Sequence, residues 1–418
     1  MITAYREALQ PLRRNPCPRR SVLPPNRLET SNWDLLAALA PEGSGGTLAA
    51  LRQSMQNLLG REQIHFAPSA RCAIAQVLAL LPQREVVMPA FNCGVVKSAV
   101  EAAGKRIIYV DIAKGSVNAT AAEFAREAQP GRILLATHMF GVPTDIEAIC
   151  ELARRRDCLT IEDAACSFGA MRHGRPLGTF ADFGVFSFES WKRLPTFRGG
   201  AIVVNNDQWL DPARLAREPL VKTRSKLPAR DLVLALGRNA ATVPWLYGRL
   251  TLPLLMRNYF KPPVPAKGGG ETNVTSGSPY TREFHPYQAR LALRMLGRMD
   301  RIRHHIAELV SLYAGAFHDG AVTTFLPPER DDAGLLRFPI AFPGKSRAAV
   351  LRQALQRGLY LETEFEEPLP ASAEHGRFPN AVWAGRNLVL LPLYTALSIK
   401  NARWLAGQVN EIARDVSC

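Results

Sequence analysis

Between about residue 60 and residue 207 the chain alternates short, almost wholly apolar runs with stretches of helical periodicity, and this limits its folds more than any other feature. REVVMPAF leads into VVKSAVEAAG, KRIIYVDI into TAAEFAREAQ, and RILLATHMF into DIEAICELARRRD; CLTIEDAA, FGVFSF and AIVVNN follow. Strands that lack polar alternation are buried on both faces, so helices must cover the sheet above and below. The expectation is an α/β fold with a mostly parallel sheet. Ligands of such sheets bind beyond the carboxyl ends of the strands, which makes the residues just after each run the candidates for chemistry.

A chain of 418 residues exceeds what one small core organises, so two domains are expected. Beyond residue 260, PAKGGGETNVTSGSPY reads as a linker or loop. One long helix is expected over PYQARLALRMLGRMDRIRHHIAELVSLYAGAF, then short strands (LLRFPIAF), a helix (SRAAVLRQALQRG) and a closing helix after LVLLPLY, which together make a smaller α+β unit. The apolar segment Leu232 to Met256 is broken by Arg238, Pro244, Arg249 and Pro253. No uncharged run in it approaches the ~20 residues of a spanning helix. It suits buried helices, an interface, or shallow peripheral membrane contact.

A net charge of +15 raises the question of nucleic acid, but the arginines are scattered and no basic run interleaves with aromatics, so no nucleic-acid partner is expected. The same field suits anionic small molecules. Seven cysteines (Cys17, Cys72, Cys93, Cys150, Cys158, Cys166 and Cys418) form no CxxC pair, which argues for a reducing cytoplasm and against a disulfide framework or a metal centre. The N-terminus lacks the apolar core of a signal peptide.

Four strand ends carry reactive or polar groups. Asp163 follows LTIE; a carboxylate there needs a partner, and capping a helix is as good an account as chemistry. Lys192 follows GVFSF; in a dry site its pKa would fall and its amine would become nucleophilic, while most lysines are simply surface residues. Ser187 in the same turn can present its hydroxyl to an anion or merely shape the turn. PSARCAIAQVLALL opens a helix at Ser69, whose first N–H groups can hold a phosphate. Phe91 and Cys93, at MPAFNC, can pack on a flat ligand or in the core. Together these groups match the needs of pyridoxal phosphate: an amine, an anion for the ring nitrogen and a phosphate anchor.

The ordered set THMFGVPTDIEAICELARRRDCLTIEDAACSFGAMRHGRPLGTFADFGVFSFESWK, with GGAIVVNND and FPNAVWAGRNLVLLPLY, resembles the DegT/DnrJ-type sugar aminotransferases of the fold-type I pyridoxal-phosphate class. The resemblance implies a large domain with a seven-stranded-type, mostly parallel sheet and a smaller C-terminal domain. The corresponding division is a lead segment 1–45, a cofactor-binding domain 46–256, and a linker with small domain 257–418. It implies pyridoxal 5'-phosphate as cofactor, Lys192 as the lysine that carries it, Asp163 as partner of the ring nitrogen, and Ser187, Ala70 and Arg71 at the phosphate. It also implies nucleotide-sugar and glutamate substrates and a homodimer. The chain departs from the family pattern at several places: Cys166 replaces the glutamine that supports the ring hydroxyl, Cys93 replaces the stacking aromatic, Glu189 replaces a histidine, Ala70 and Arg71 stand where the family has Gly-Thr, and SPYTREFHPYQA matches the family's Asn-Tyr-Arg segment poorly. Amination of a keto-sugar nucleotide for polysaccharide or natural-product synthesis is the leading expectation. A lyase, dehydratase or epimerase on the same fold is the alternative, although the dehydratase branch carries histidine at the lysine position. A non-catalytic descendant in a polysaccharide assembly is a third reading.

Overall fold

The computed structural model describes residues 22–40, 46–217, 227–259, 284–317, 320–326 and 334–415; Cys17, Cys418 and the Gly/Ser-rich stretch 265–280 lie outside them. The strands are β1 Ile64–Ala67, β2 Glu85–Pro89, β3 Arg106–Val110, β4 Ile133–Thr137, β5 Leu159–Asp163, β6 Met171–Arg172, β7 Arg175–Pro176, β8 Phe183–Ser187, β9 Gly200–Val204, β10 Thr323–Thr324, β11 Arg337–Ala341 and β12 Val389–Pro392. Seven of them form one sheet in the order β1-β9-β8-β5-β4-β2-β3. Only β9 runs against its neighbours, so the sheet is mostly parallel, as the strand–helix alternation requires.

The sheet buries alternate side chains in two separate cores. On β4, Ile133 and Leu135 pack with the helix Ala70–Leu80, whereas Leu134 and Ala136 pack with Phe124 and the helix Ile146–Arg155. That period of two is the pleat itself, and both faces are apolar because both are covered. On β5 the same alternation places Glu162 and Asp163 on opposite faces. The Glu162 carboxylate is fully buried and accepts hydrogen bonds from Gly178 N (2.5 Å), Phe180 N (2.9 Å) and Ala181 N (3.3 Å), fixing the hairpin β6–β7 and its exit to the sheet. His138 Nδ1 accepts from Thr144 N (3.0 Å), so its other nitrogen, Nε2, carries the proton and donates to Glu162 (2.9 Å).

The second sheet, β10-β11-β12, is antiparallel. Its core joins Phe338 and Leu391 to Leu309 and Tyr313 of one helix and Leu405 and Val409 of another. The single helix expected over residues 286–317 is two helices, Pro286–Leu296 and Met299–Ala316. The break falls at Gly297, a poor helix former, and Arg298 beside it turns to donate to the buried Asp34 (2.7 Å).

The segment 232–256 forms the helices Ala229–Ala241 and Pro244–Leu246, a wide turn Tyr247–Thr251 and the helix Leu252–Tyr259. Leu232, Tyr247 and Leu252 are buried, while Val233, Trp245, Leu250 and Leu254 are exposed. No helix among the described residues is long and apolar enough to cross a membrane.

Candidate active site

The carboxyl ends of β1, β2, β4, β5 and β8 converge on a cavity of about 790 Å³, closed on its far side by the small sheet and by the helix Ala229–Ala241. Ser69, Ala70, Arg71, Cys93, Asp163, Cys166, Ser187 and Lys192 all line it.

Each group is placed by local structure. Ser69 caps the helix Ala70–Leu80, its Oγ accepting from Cys72 N (3.3 Å), so the helix points its first N–H groups at the cavity. The strand β9 starts close beside this helix. A Cβ at Gly200 would stand 2.8 Å from Ala70 N, and Gly199 has φ +109°, outside the reach of ordinary side chains. The Gly-Gly of RGGAIVV therefore brings the phosphate-type cradle against the lysine loop. Ser187, at the end of β8, is buried.

Asp163 is 4% exposed, and Ala165 N donates to its Oδ1 (3.1 Å). It therefore closes a local turn rather than capping a helix. Burial raises the carboxyl's pKa; the Ala165 N–H, Lys192 and His138 oppose that shift without cancelling it.

Lys192 Nζ donates to Cys166 Sγ at 3.1 Å. Its pKa is raised, not lowered as burial alone would have it: burial disfavours the ammonium, but Cys166 and Glu189 beside it outweigh that cost. Cys93, on the same cavity wall, has its thiol pushed up to about 11 by burial.

Phe91 is not a wall of the cavity. It is 1% exposed and packs edge-on behind Phe140 and Phe365, at 6.1 and 6.0 Å between centroids. Phe140 and Phe365 are the aromatic wall, stacked at 5.8 Å, and both hold positive φ (58° and 53°). Strained backbone of this kind costs about 1–3 kcal/mol per residue and collects at ligand sites.

Several groups of the site escape a reading based on strand ends. Arg193 is buried, forms a close ion pair with Glu29, and donates to Leu393 O (3.2 Å) and to Leu335 O. It ties the lysine loop to the small sheet and to the N-terminal segment. Arg337 Nε donates to Glu362 (2.7 Å), Glu364 stands nearby, and Arg238 lies over the Trp191 ring (5.0 Å). The alternation Leu361 and Thr363 inward, Glu362 and Glu364 outward was readable in YLETE once that segment is taken as extended.

Arg193→Ala leaves the Glu29 carboxylate without its buried cation. The variant is expected to lose about 3–5 kcal/mol of stability, read from urea unfolding. An unchanged midpoint would show that Leu335, Leu393 and Glu29 do not anchor the lysine loop through this side chain.

With this geometry in view, similarity to known proteins is informative. Residues 46–238 match the profile of the DegT/DnrJ/EryC1/StrS aminotransferase family. Over 358 residues the chain is 24% identical to the dTDP-4-dehydro-2,3,6-trideoxy-D-glucose 4-aminotransferase of Saccharopolyspora spinosa, covering 83% of each chain. The fold matches a sugar aminotransferase of Micromonospora echinospora with TM-score 0.69 at 18% identity, over 93% of this chain and 99% of that one. It also matches the Escherichia coli GDP-4-keto-6-deoxy-D-mannose-3-dehydratase, with TM-score 0.68 at 14% identity, over 93% of this chain and 100% of that one. The architecture thus serves more than one reaction, and the side chains must choose between them.

Proposed function

We propose that this chain, whose residues 46–238 match the DegT/DnrJ/EryC1/StrS aminotransferase family, uses pyridoxal 5'-phosphate to move an amino group from glutamate onto a keto-sugar nucleotide. The observation that carries this reading is the joint placement of Lys192, Asp163 and a capped helix start on one cavity of about 790 Å³. The residues fit the cofactor. The buried Asp163 carboxylate has no cation in direct contact among the described residues, so a protonated ring nitrogen supplies what it lacks. The helix start at Ala70 supplies N–H donors of the kind a phosphate takes.

When bound, pyridoxal phosphate supplies an aldehyde that couples to amines and a ring that draws electrons from the attached carbon. Asp163 holds the proton on the ring nitrogen, which keeps that pull strong. Lys192 would hold the cofactor through its Nζ, and its amine would take up and return the proton at the donor Cα. Ala70 and Arg71, through backbone N–H groups, and Ser187 Oγ would hold the phosphate. Cys166 and Cys93, on the same cavity wall, would flank the bound ring. A lysine at 192, rather than a histidine, favours amino transfer over dehydration.

The reading includes a homodimer in the cytoplasm, with the exposed face of Val233, Trp245, Leu250 and Leu254 turned to the second copy. Sedimentation equilibrium checks the mass, and flotation with anionic vesicles checks the alternative of peripheral membrane contact.

The decisive experiment is spectroscopic. Protein reconstituted with pyridoxal phosphate is expected to show the visible band of lysine-bound cofactor, glutamate to bleach it, and keto forms of nucleotide-linked hexoses to restore it. A chain that takes up no cofactor defeats the proposal. Cofactor uptake without bleaching by glutamate, but with turnover of the sugar, moves the reaction to the lyase class.

A further inference from the structure

The cavity holds one carboxylate that nothing else in it accounts for. Arg71 faces Glu189 at 3.9 Å, Arg337 donates to Glu362, and Arg238 covers Trp191. Asp163 and Lys192 are taken up by the cofactor. Glu364 remains: it is half-buried and lines the cavity, and among the described residues no hydrogen bond or ion pair reaches its carboxylate. Burial and the neighbouring Glu362 raise its pKa, against the pull of Arg337 and Lys192. A carboxylate kept in a closing cavity without a donor is costly unless a ligand brings one.

The backbone is shaped to keep it there. In an extended chain successive side chains alternate, so Leu361 and Thr363 enter the core, fully buried, while Tyr360, Glu362 and Glu364 face the cavity. By that rule Phe365 would turn away. Its φ of +53° breaks the alternation, and both Glu364 and Phe365 line the cavity. Phe365 in turn stacks on Phe140. A hydrogen-bond acceptor next to an aromatic face suits a ring that is apolar on its flat side and carries donors at its rim.

We propose that Glu364 is a specificity-determining residue that accepts hydrogen bonds from hydroxyl groups of the sugar ring while Phe365 and Phe140 pack against that ring's C–H face. The proposal rests on the keto-sugar nucleotide reading and names the part of the substrate this wall recognises. A dicarboxylate amino donor is not the partner of Glu364, because its side chain would bring a second negative charge to the same wall. A neutral polyol satisfies the acceptor without that repulsion.

The test uses cofactor-loaded protein and three ligand pairs: dTDP-glucose with dTDP, UDP-glucose with UDP, and GDP-mannose with GDP. Isothermal titration calorimetry gives the affinity gained from the sugar within each pair. Wild type is expected to gain about 10-fold or more in at least one pair, the range for hydrogen bonds to a charged group. Glu364→Ala is expected to erase that gain while shifting the affinity for the bare nucleotide by less than about threefold. Glu364→Gln, which keeps the shape and one acceptor oxygen, is expected to fall between them. A gain that survives in Glu364→Ala overturns the inference and leaves the aminotransferase reading standing. Equal losses for sugar and bare nucleotide also overturn it, since a structural role does that. Wild-type protein that carries the cofactor band yet binds none of the six ligands overturns the nucleotide-sugar reading, and this inference falls with it.

Discussion

Lys192→Ala is expected to fold normally, to release pyridoxal phosphate on dialysis, and to lose amino transfer by at least about 10²–10⁴-fold, the range for a positioned acid/base group. The loss is expected to exceed that range because in the proposed reaction the same nitrogen both carries the cofactor and moves the proton. Among the described residues the Lys192 side-chain amine hydrogen-bonds to Cys166 Sγ, at 3.1 Å, which is a weak acceptor and no base for a carbon acid. Folding is expected to survive because the side chain stands in the cavity wall and leaves no closed void when shortened. Absorbance after dialysis, followed by single-turnover kinetics with glutamate, checks both parts. A variant that keeps the visible band through dialysis and still turns over removes Lys192 from the chemistry.

Asp163→Asn is expected to retain the lysine-bound cofactor while losing roughly 10²–10³-fold in rate, as when one preorganised electrostatic contact is removed. The amide cannot hold the positive charge of a protonated ring nitrogen, so the ring draws electrons less strongly. Stability is expected to move the other way in cofactor-free protein. The folded-state pKa of Asp163 is raised by burial. An acid raised in this way binds protons more readily folded than unfolded, so it destabilises the fold at neutral pH. That penalty disappears as pH falls through the raised value toward the unfolded one. Cofactor-free Asp163→Asn should therefore match or exceed wild type in Tm at neutral pH, and the difference should shrink on acidification. A variant with a lower Tm at neutral pH and unimpaired turnover would show that Asp163 is a structural residue.

How far these assignments could be read from the chain depends on distance along it. The sheet was legible because strand burial is a local property: Ile133 to Ala136 are apolar at every position, and only a sheet covered on both sides uses such a run. Asp163 and Ser187 close such runs, and Cys93 and Lys192 lie in the loops just beyond them, which is why the chain alone offered all four as candidates for the cavity wall. Phe91 misled because an aromatic at a strand end has the same local signature whether it faces a ligand or backs the residue that does. Arg193 and Glu29 are 164 residues apart in sequence, and no periodicity links them. The aromatic wall depends on positive φ at Phe140 and Phe365, a conformation that neither residue type announces. Arg298, just after the break at Gly297, is bound to Asp34, which belongs to a distant segment.

The adjacency of Glu162 and Asp163 on β5 has a genetic consequence. One carboxylate anchors a hairpin through three amide protons and an imidazole, and its neighbour faces the cavity from the opposite side. Loss or gain of a single codon between Leu159 and Ile161 would turn each carboxylate to the other face of the sheet, the anchor toward the cavity side and its neighbour toward the hairpin side. This strand can therefore drift by replacement of its aliphatic side chains but not in length, and natural variants of the chain should keep the number of residues between Cys158 and Asp163 fixed even where every apolar residue between them has changed.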